Sequence, residues 1–543
     1  MSTVTNRYSA PAAIAEVSHE SRAASLLAGW APYLLALYFA LSALRGVSST
    51  DVIDTDAARH AMNGTFIYDM VRSGQFWHPV RFARLYYSHL PALSMPYHPP
   101  LFPAIESLFF AAFGVKLLTA RVAVAVSVGL CALLLFKLVH ATLGSRVLAA
   151  CVTVTTWSLW TSQLVARDVM LEYPSMAFAL AALYCVRDLD HYTMRRALLF
   201  AVLAAAAVWT KQHTVFVGAV PLVEGVLTRR WKMFSKSPIW ISTAIFSAAV
   251  LSLMFLSKQF HGTGIDQMSN SAGDVRRVLT LSLPAYFELM TADLKGLPGI
   301  FLAVSVAAFF IWTRKPIRLA KGLTLYFAWM VLVCVIVAFI RGGNSRYLFF
   351  VFPAAITVGY TWLIRGCSSL WGEQRAAFVA GGFAVAWFVV GFFVPVEFLR
   401  GVGASAKVVA QGAPVRVVYA GEADGNFIFA VRSLDSKLEV TVVPAAKLPP
   451  DTFEPKTLDA FCRQFGIDWV ILENGNKSFP WSSLRNARPD SLKLERSIPL
   501  ESNRSRWANG TIDVYRFSGP PGHPGGVLDL PVGKIGGSIG LKL

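Results

Sequence analysis

Long apolar runs recur along this chain, separated by short polar stretches. A helix that crosses a bilayer needs roughly 20 consecutive apolar residues. Runs near that length lie at 26–44, 118–138, 146–164, 170–186, 196–210, 212–228, 238–257, 297–313, 322–340, 346–364 and 376–397, and the pattern predicts about eleven crossings. The stretch 100–114 is also apolar but short; it reads as a juxtamembrane or re-entrant helix near the outer interface. The region 196–228 reads either as a broken pair or as one long tilted helix.

After about residue 400 the period changes. Val415-Arg-Val-Val-Tyr419, Leu438-Glu-Val-Thr-Val-Val443 and Asp468-Trp-Val-Ile-Leu472 read as short buried strands, with helices over 424–432 and 455–465 between them. Strand alternating with helix predicts a small α/β layer. Arg504–Phe517 reads as an edge hairpin turning at Asn509-Gly510. No G-x-G-x-x-G pattern occurs there, so a nucleotide site is unsupported. The tail 519–543 is rich in Gly and Pro and reads as disordered.

The basic residues set a topology. Arg187, Arg195 and Arg196 follow one apolar run, Arg229, Arg230, Lys232 and Lys236 another, and Arg314, Lys315, Arg318 and Lys321 a third. Alternate loops are thus basic and cytoplasmic by the positive-inside rule. The N-terminus then falls inside. The region 46–99, the turn at Val165-Ala-Arg167-Asp168, residues 258–296, Arg341–Arg346 and the C-terminal region fall outside. This count requires that 100–114 does not cross.

Composition fits this reading. Of 543 residues 55% are hydrophobic, and the mean hydropathy is +0.50, far above that of a soluble domain. The net charge of +18 sits in short loops between apolar runs, which argues against nucleic acid as a partner. Six scattered cysteines without C-x-x-C give neither a disulfide framework nor a zinc site. Residues 1–24 are polar and mixed in charge, so the first apolar run reads as a retained anchor. The expected organisation is a cytoplasmic segment at 1–25, a membrane region at 26–399 with its first external loop at 46–117, an extracytoplasmic α/β domain at 400–518, and the tail.

Candidate chemistry clusters on the outer face. Asp51-Val-Ile-Asp54-Thr-Asp56-Ala-Ala-Arg59-His60 places three carboxylates at the lip of the first crossing. Asp54 and Asp56 open a stretch of helical spacing, so each reads either as a capping or solvated acid or as a functional one. Tyr97-His98-Pro99-Pro100-Leu101 opens the short apolar helix, where Pro is ordinary; His98 is either a polar contact or merely interfacial. In Arg167-Asp168-Val-Met-Leu-Glu172 the acids are four apart, the spacing of one helix face, and intramembrane acids are costly and usually functional; the bland reading is a local pair with Arg167. Lys211 interrupts an apolar run, where snorkelling is the bland reading. Arg341-Gly-Gly-Asn-Ser-Arg346-Tyr347 carries two guanidiniums against the positive-inside bias, and their fork geometry suits phosphate. Acids suit proton abstraction from an acceptor and cations suit a phosphate leaving group. A transferase using a lipid-phosphate sugar needs this inventory.

In these features the chain resembles the GT-C glycosyltransferases of the protein O-mannosyltransferase and aminoarabinose (lipid A) transferase type, RgtA/B/C/D-like. The resemblance rests on Asp56-Ala-Ala-Arg59, Ser73-Gly74, Tyr97-His-Pro-Pro-Leu101, Phe113-Gly114, Ala120-Arg121, Ala166-Arg-Asp168, Thr210-Lys211 and Arg346-Tyr347, and covers about residues 30–365. It implies that Asp56 activates the acceptor, that Asp168 lines the same cavity, and that Arg346 and Lys211 contact the donor phosphate. The family commonly has Asp-Glu at the first site; here Ala57 follows Asp56, and Asp54 lies two residues before it. Asp56, Asp54 and Asp168 are therefore the candidate catalytic acids. Arg59, His98, Arg167, Glu172, Lys211, Arg341, Arg346 and Tyr347 are the candidate substrate-binding residues. The implied partners are a polyprenyl-phosphate-linked sugar donor, a lipid, glycan or protein acceptor, and membrane lipids. No cofactor is required by this scheme, although a divalent metal is compatible with it.

The sequence thus predicts a polytopic α-helical membrane protein of the GT-C type, with juxtamembrane helices and a small C-terminal extracytoplasmic α/β domain, in the plasma (inner) membrane. The expected activity is inverting sugar transfer. The alternatives are a flippase or transporter of lipid-linked glycans and an oligosaccharide ligase or polymerase. No pair of similar half-sequences with interrupted helices speaks for a transporter.

Overall fold

The computed structural model describes residues 22–95, 97–259, 322–338, 345–475, 489–504, 507, 509–519, 527–531 and 538–542, together with Thr280, Pro284 and Glu288. The expected span 297–313, most of the loop 258–296, and Arg341 lie outside these residues.

The first apolar run is α1 (Arg22–Ala43), with Trp30, Tyr33, Leu34, Leu37 and Leu41 facing outward. Apolar side chains spaced this way suit lipid rather than water. Two polar-to-amphipathic helices and one short apolar helix follow: α2 (Thr55–Arg72), α3 (Pro79–His89) and α4 (Leu101–Phe113). The 13 residues of α4 rise only about 20 Å, short of a bilayer core. Gly64 on α2 permits its close approach to α4, because a Cβ there would collide with the Glu106 carboxylate.

The bundle continues through α5 (Leu117–Leu143), α6 (Arg146–Ser158), α7 (Trp160–Ala166), α8 (Glu172–Cys185), α9 (Met194–Thr210), α10 (Phe216–Leu227), α11 (Ser237–Gln259), α12 (Leu323–Ala338), α13 (Phe352–Trp371) and α14 (Glu373–Phe392). Gly144, at φ 74°, ends α5 with its N–H on His140 O, a left-handed stop that glycine adopts without strain. Among the described residues four segments are long and apolar enough to cross a membrane: Gly29–Ser49, Leu117–Leu143, Ser237–Lys258 and Glu373–Phe392.

One expected span is interrupted, and the open reading of 196–228 is resolved. The run 146–164 breaks at Leu159, whose ψ of 150° separates α6 from α7. The run 196–228 is the broken pair: Lys211 is extended at φ −151°, ψ 121°, between α9 and a 3-10 turn at Gln212–Val215. The last turns are tied by buried arginines. Arg121 donates to Ala43 O at 3.0 Å and Arg45 O at 3.3 Å, and Arg167 donates to Val394 O at 2.9 Å and Pro395 O at 3.2 Å. Carbonyls at a helix end lack intrahelical partners, and these guanidiniums supply them.

Beyond α14 lie β1 (Leu399–Arg400), α15 (Val402–Ala410), β2 (Val415–Ala420), α16 (Asp424–Leu434), β3 (Val440–Pro444), α17 (Pro455–Phe465), β4 (Trp469–Asn474), β5 (Leu492–Ser502) and β6 (Gly510–Phe517). The six-stranded sheet has the order β1-β5-β6-β4-β2-β3. Strand β2 runs parallel to β3 and β4, while β4–β6, β5–β6 and β1–β5 are antiparallel. The strands β2, β3 and β4 are buried almost continuously, as expected for parallel strands covered on both faces. The expected hairpin differs: it spans Leu492–Phe517, Gly510 opens β6, and β6 lies inside the sheet against β4. Within the tail expected to be unstructured, β7 (Val527–Pro531) and β8 (Ser538–Lys542) pair antiparallel.

The sheet side grips α2 and the residues before it. Asp51 N donates to Leu399 O at 2.7 Å, Gly403 N to Asp51 Oδ2 at 3.0 Å, Asn426 Nδ2 to Val52 O at 2.6 Å, and Trp507 Nε1 to Ile53 O at 3.0 Å. Asp51, the first of the three carboxylates, is thus a strut to the sheet side. Further along α2, Arg432 Nε donates to Asp69 Oδ2 at 2.8 Å with a second contact from its terminal nitrogen, and Tyr86 Oη donates to the same Oδ2 at 3.1 Å.

Removing one partner of a buried ion pair strands the other and costs about 3–5 kcal/mol. Arg432→Gln should therefore lower the thermal unfolding midpoint, and Asp69→Asn in the same chain should recover part of the loss. An unchanged midpoint in Arg432→Gln would show that this pair does not hold the sheet to α2.

Candidate functional site

The start of α2 is held by carboxylates and backbone N–H groups. Asp54 Oδ1 accepts from Asp56 N at 2.9 Å, a side-chain N-cap. Its Oδ2 meets Arg504 Nη1 at 3.0 Å, and Arg504 Nε lies 3.8 Å from Glu397 Oε2. Asp168 in turn accepts the N–H of Asp54 at 2.9 Å and that of Val169 at 2.9 Å, one on each oxygen. Burial, then the charge of Asp54, pushes the Asp168 carboxyl up to about 6.

The expectation that Asp168 and Glu172 share a helix face does not hold. The helix α8 begins at Glu172, and Asp168 sits in the preceding turn. Nor does Asp168 pair with Arg167, whose guanidinium serves the 394–395 carbonyls and Gln163 Oε1 at 2.8 Å.

With Asp54 capping, Asp56 points from the first turn into a cavity. Its Oδ2 lies 3.0 Å from Arg346 Nη2, and its Oδ1 lies 3.9 Å from Arg59 Nη1. Burial alone would raise the Asp56 carboxyl, but Arg346 outweighs it and holds the group well below the usual range. Arg346 comes from the 3-10 turn Ser345–Phe350. Its Nη1 also lies 3.5 Å from Met170 Sδ.

Lys211 occupies the break between α9 and the following turn. Its Nζ meets Glu172 Oε1 at 2.8 Å, with Glu172 fully buried. The lysine is thus paired inward rather than snorkelling.

The cavity before Asp56 measures about 390 Å³. Of the expected site residues it brings together Asp56, Arg59, His98, Lys211, Arg346 and Tyr347. A second cavity of about 200 Å³ is lined by Asp54, Arg167, Asp168, Glu397 and Arg504, and it shares Asp56 and Arg346 with the first. Glu172 lies beneath Lys211, outside both linings.

Other wall residues were not singled out from the sequence. His60 lies four residues after Asp56, one turn along α2, and that spacing was its available signal. His213 stands two residues after Lys211. Asp424 and Lys447 come from the sheet side, hundreds of residues away, with no local pattern to mark them. Lys447 donates to Tyr87 Oη and to Pro91 O, the latter at 3.2 Å. Burial pushes the Lys447 ammonium down to about 8, against the pull of Asp424. Among the described residues no three His, Cys, Asp or Glu side chains are grouped to hold a metal ion.

Comparison with known proteins places this geometry. Residues 97–256 match the family model described as dolichyl-phosphate-mannose-protein mannosyltransferase. No curated protein sequence matches. Among solved structures, ArnT from Cupriavidus metallidurans bound to undecaprenyl phosphate superposes with a TM-score of 0.57 at 13% identity, covering 90% of this chain and 98% of that one. The apo form of the same protein gives the same figures. The archaeal oligosaccharyltransferase AglB from Archaeoglobus fulgidus, in complex with an inhibitory peptide and a dolichol-phosphate, superposes with a TM-score of 0.48 at 9% identity over 82% of this chain and 69% of that one. The chain has the fold of ArnT, the GT-C fold that the sequence resemblance implies.

The Lys211–Glu172 pair invites a direct test. Lys211→Met should destabilise the protein by about 3–5 kcal/mol, since Glu172 is left buried and unpaired. The double variant Lys211→Met, Glu172→Leu should regain most of the thermal midpoint. A single variant as stable as the parent would mean that Glu172 finds another partner.

Proposed function

We propose that this chain is an integral membrane glycosyltransferase that moves a sugar from a polyprenyl-phosphate donor to an acceptor on the extracytoplasmic face. The observation that carries the proposal is the contact of Asp56 with Arg346 in one cavity. It sets a carboxylate able to take a proton beside a cation able to hold a phosphate. ArnT, whose fold the chain shares, was solved with undecaprenyl phosphate bound, which supports a lipid-phosphate donor.

The chemistry follows from the placement. Asp56 takes the proton from an acceptor hydroxyl or amine as that atom attacks the anomeric carbon. The bond from the anomeric carbon to the phosphate oxygen breaks, and the electron pair leaves with the lipid phosphate. Arg346 and Lys211 meet the growing negative charge, the role that fixed cations perform best in a partly buried site. One displacement with one base inverts the anomeric centre. Arg59, His98 and Tyr347 complete the substrate wall, and Glu172 holds Lys211 in place. Asp54 and Asp168 act as positioning groups, because the cap, the backbone N–H groups and Arg504 engage their oxygens. Arg167 supports them by fixing the 394–395 segment.

Arg346 has two roles in this scheme. While paired with Asp56 it keeps the acid ionised and a poor proton acceptor. A donor phosphate competes for the guanidinium, and as it takes Arg346 the carboxylate regains basicity. The base is therefore armed by the substrate it needs.

Asp56→Asn, nearly isosteric, should retain folding and cut sugar transfer by about 10²–10⁴-fold; transfer at the parental rate would remove Asp56 as the base. The pH profile gives an independent check. Because Arg346 holds Asp56 low in the free enzyme, the parental kcat/KM should be insensitive to pH from 5 to 7. In Arg346→Gln that stabilisation of the carboxylate is gone while burial remains, so the acid limb should move to higher pH. An acid limb that stays put in the variant would contradict the coupling.

A further inference from the structure

The proposed base and phosphate contacts each carry an aromatic ring close by in the chain. His60 is one turn after Asp56, His213 two residues after Lys211, and Tyr347 directly after Arg346. These rings meet in the cavity wall. His60 and His98 cross edge to face with centroids 4.4 Å apart, Tyr97 and His98 do so at 4.8 Å, and His213 stacks on Tyr347 at 4.8 Å. All five line the larger cavity.

We propose that this ring-lined wall holds the donor's sugar, and that it selects a sugar bearing hydroxyls and no ammonium group. The inference rests on the glycosyltransferase reading above and specifies its donor.

Three observations support it. First, the Nδ1 atoms of His60 and His213 are buried and have no hydrogen-bond partner. A proton placed there would have nothing to donate to, so Nε2 is the nitrogen that carries the hydrogen and can serve a guest. A neutral Nε2–H donates to a hydroxyl or ring oxygen and has nothing to accept from an ammonium. Second, the wall stays uncharged in its surroundings: burial, with Lys211 and Arg346 nearby, pushes the His60 imidazole down to about 3, and burial with the adjacent His60 holds His98 well below its usual range. Third, the charges at the cavity are Arg59, Lys211, Arg346 and Lys447 against Asp56, Asp424 and the Glu172 beneath Lys211, one cation in excess. Asp56 is already paired with Arg346, so an added cation would meet an excess of like charge. A donor phosphate is the group this excess suits, and the faces of the rings suit the C–H faces of a sugar.

The test uses the full chain in nanodiscs and three probes of equal lipid length. They are polyprenyl phosphate, a polyprenyl-phosphate hexose with all ring hydroxyls, and its analogue with one hydroxyl replaced by an ammonium. Direct binding is measured for each at pH 7. The hydroxyl sugar should bind at least tenfold more tightly than its ammonium analogue, and more tightly than the sugar-free lipid. Equal or tighter binding of the ammonium analogue, with the sugar-free lipid still bound, overturns the selectivity and leaves the donor reading intact. Failure of all three probes to bind overturns the donor reading and this inference together.

Discussion

The backbone N–H of Asp54 donates to Asp168 at 2.9 Å, and the geometry of the site descends from that hydrogen bond. It fixes where the chain leaves its extended path after α1 and enters α2. The Asp54 side chain then caps the new helix, and Asp56 emerges in the first turn with its carboxylate facing Arg346. A helix N-terminus carries partial positive charge, so the turn that orients Asp56 also favours its ionised form. Without the anchor at Asp54, neither the direction nor the charge of Asp56 would be set.

Three opposite-charge pairs stand around the cavities: Asp56 with Arg346, Glu172 with Lys211, Asp54 with Arg504. Such pairs are not sources of great stability, because taking two charges out of water offsets most of their attraction. Their value is positional. A long side chain that is pinned at its tip delivers its charge to one place, as the proposed transfer requires. The two cavities share Asp56 and Arg346 as a common wall. The same pair therefore separates two spaces and carries the proposed chemistry between them.

Much of this was legible in the sequence, and the reasons differ by region. The apolar runs gave helices because hydrophobic periodicity is a local property. The acids at Asp54 and Asp56 stood out because carboxylates beside a membrane run are costly. The α/β layer was visible as β-rich runs between helical stretches, and the parallel strands β2, β3 and β4 appear where those runs lie. What could not be read was pairing at a distance. The spacing of Asp168 and Glu172 suggested one helix face, but the turn before α8 sends one acid to Asp54 and the other to Lys211. The break at Leu159 falls inside an apolar run that hydropathy treats as continuous. Asp424 and Lys447 reach the cavity through the docking of the sheet on α2, which no pattern near either residue announces.

That docking bears on when the protein becomes competent, as well as where its residues stand. The turn before Asp54 is braced by Leu399, Gly403, Asn426 and Trp507, and Trp507 lies 454 residues beyond the Ile53 carbonyl it holds. Synthesis at about 5–20 residues per second puts on the order of 20–90 s between the two. Through that interval the first helices hold Asp56 by the Asp168 anchor without the full brace of the sheet side. A truncated or stalled chain would carry every residue of the Asp56–Arg346 pair yet lack the clamp that aligns it, so assembly itself acts as the last checkpoint before activity.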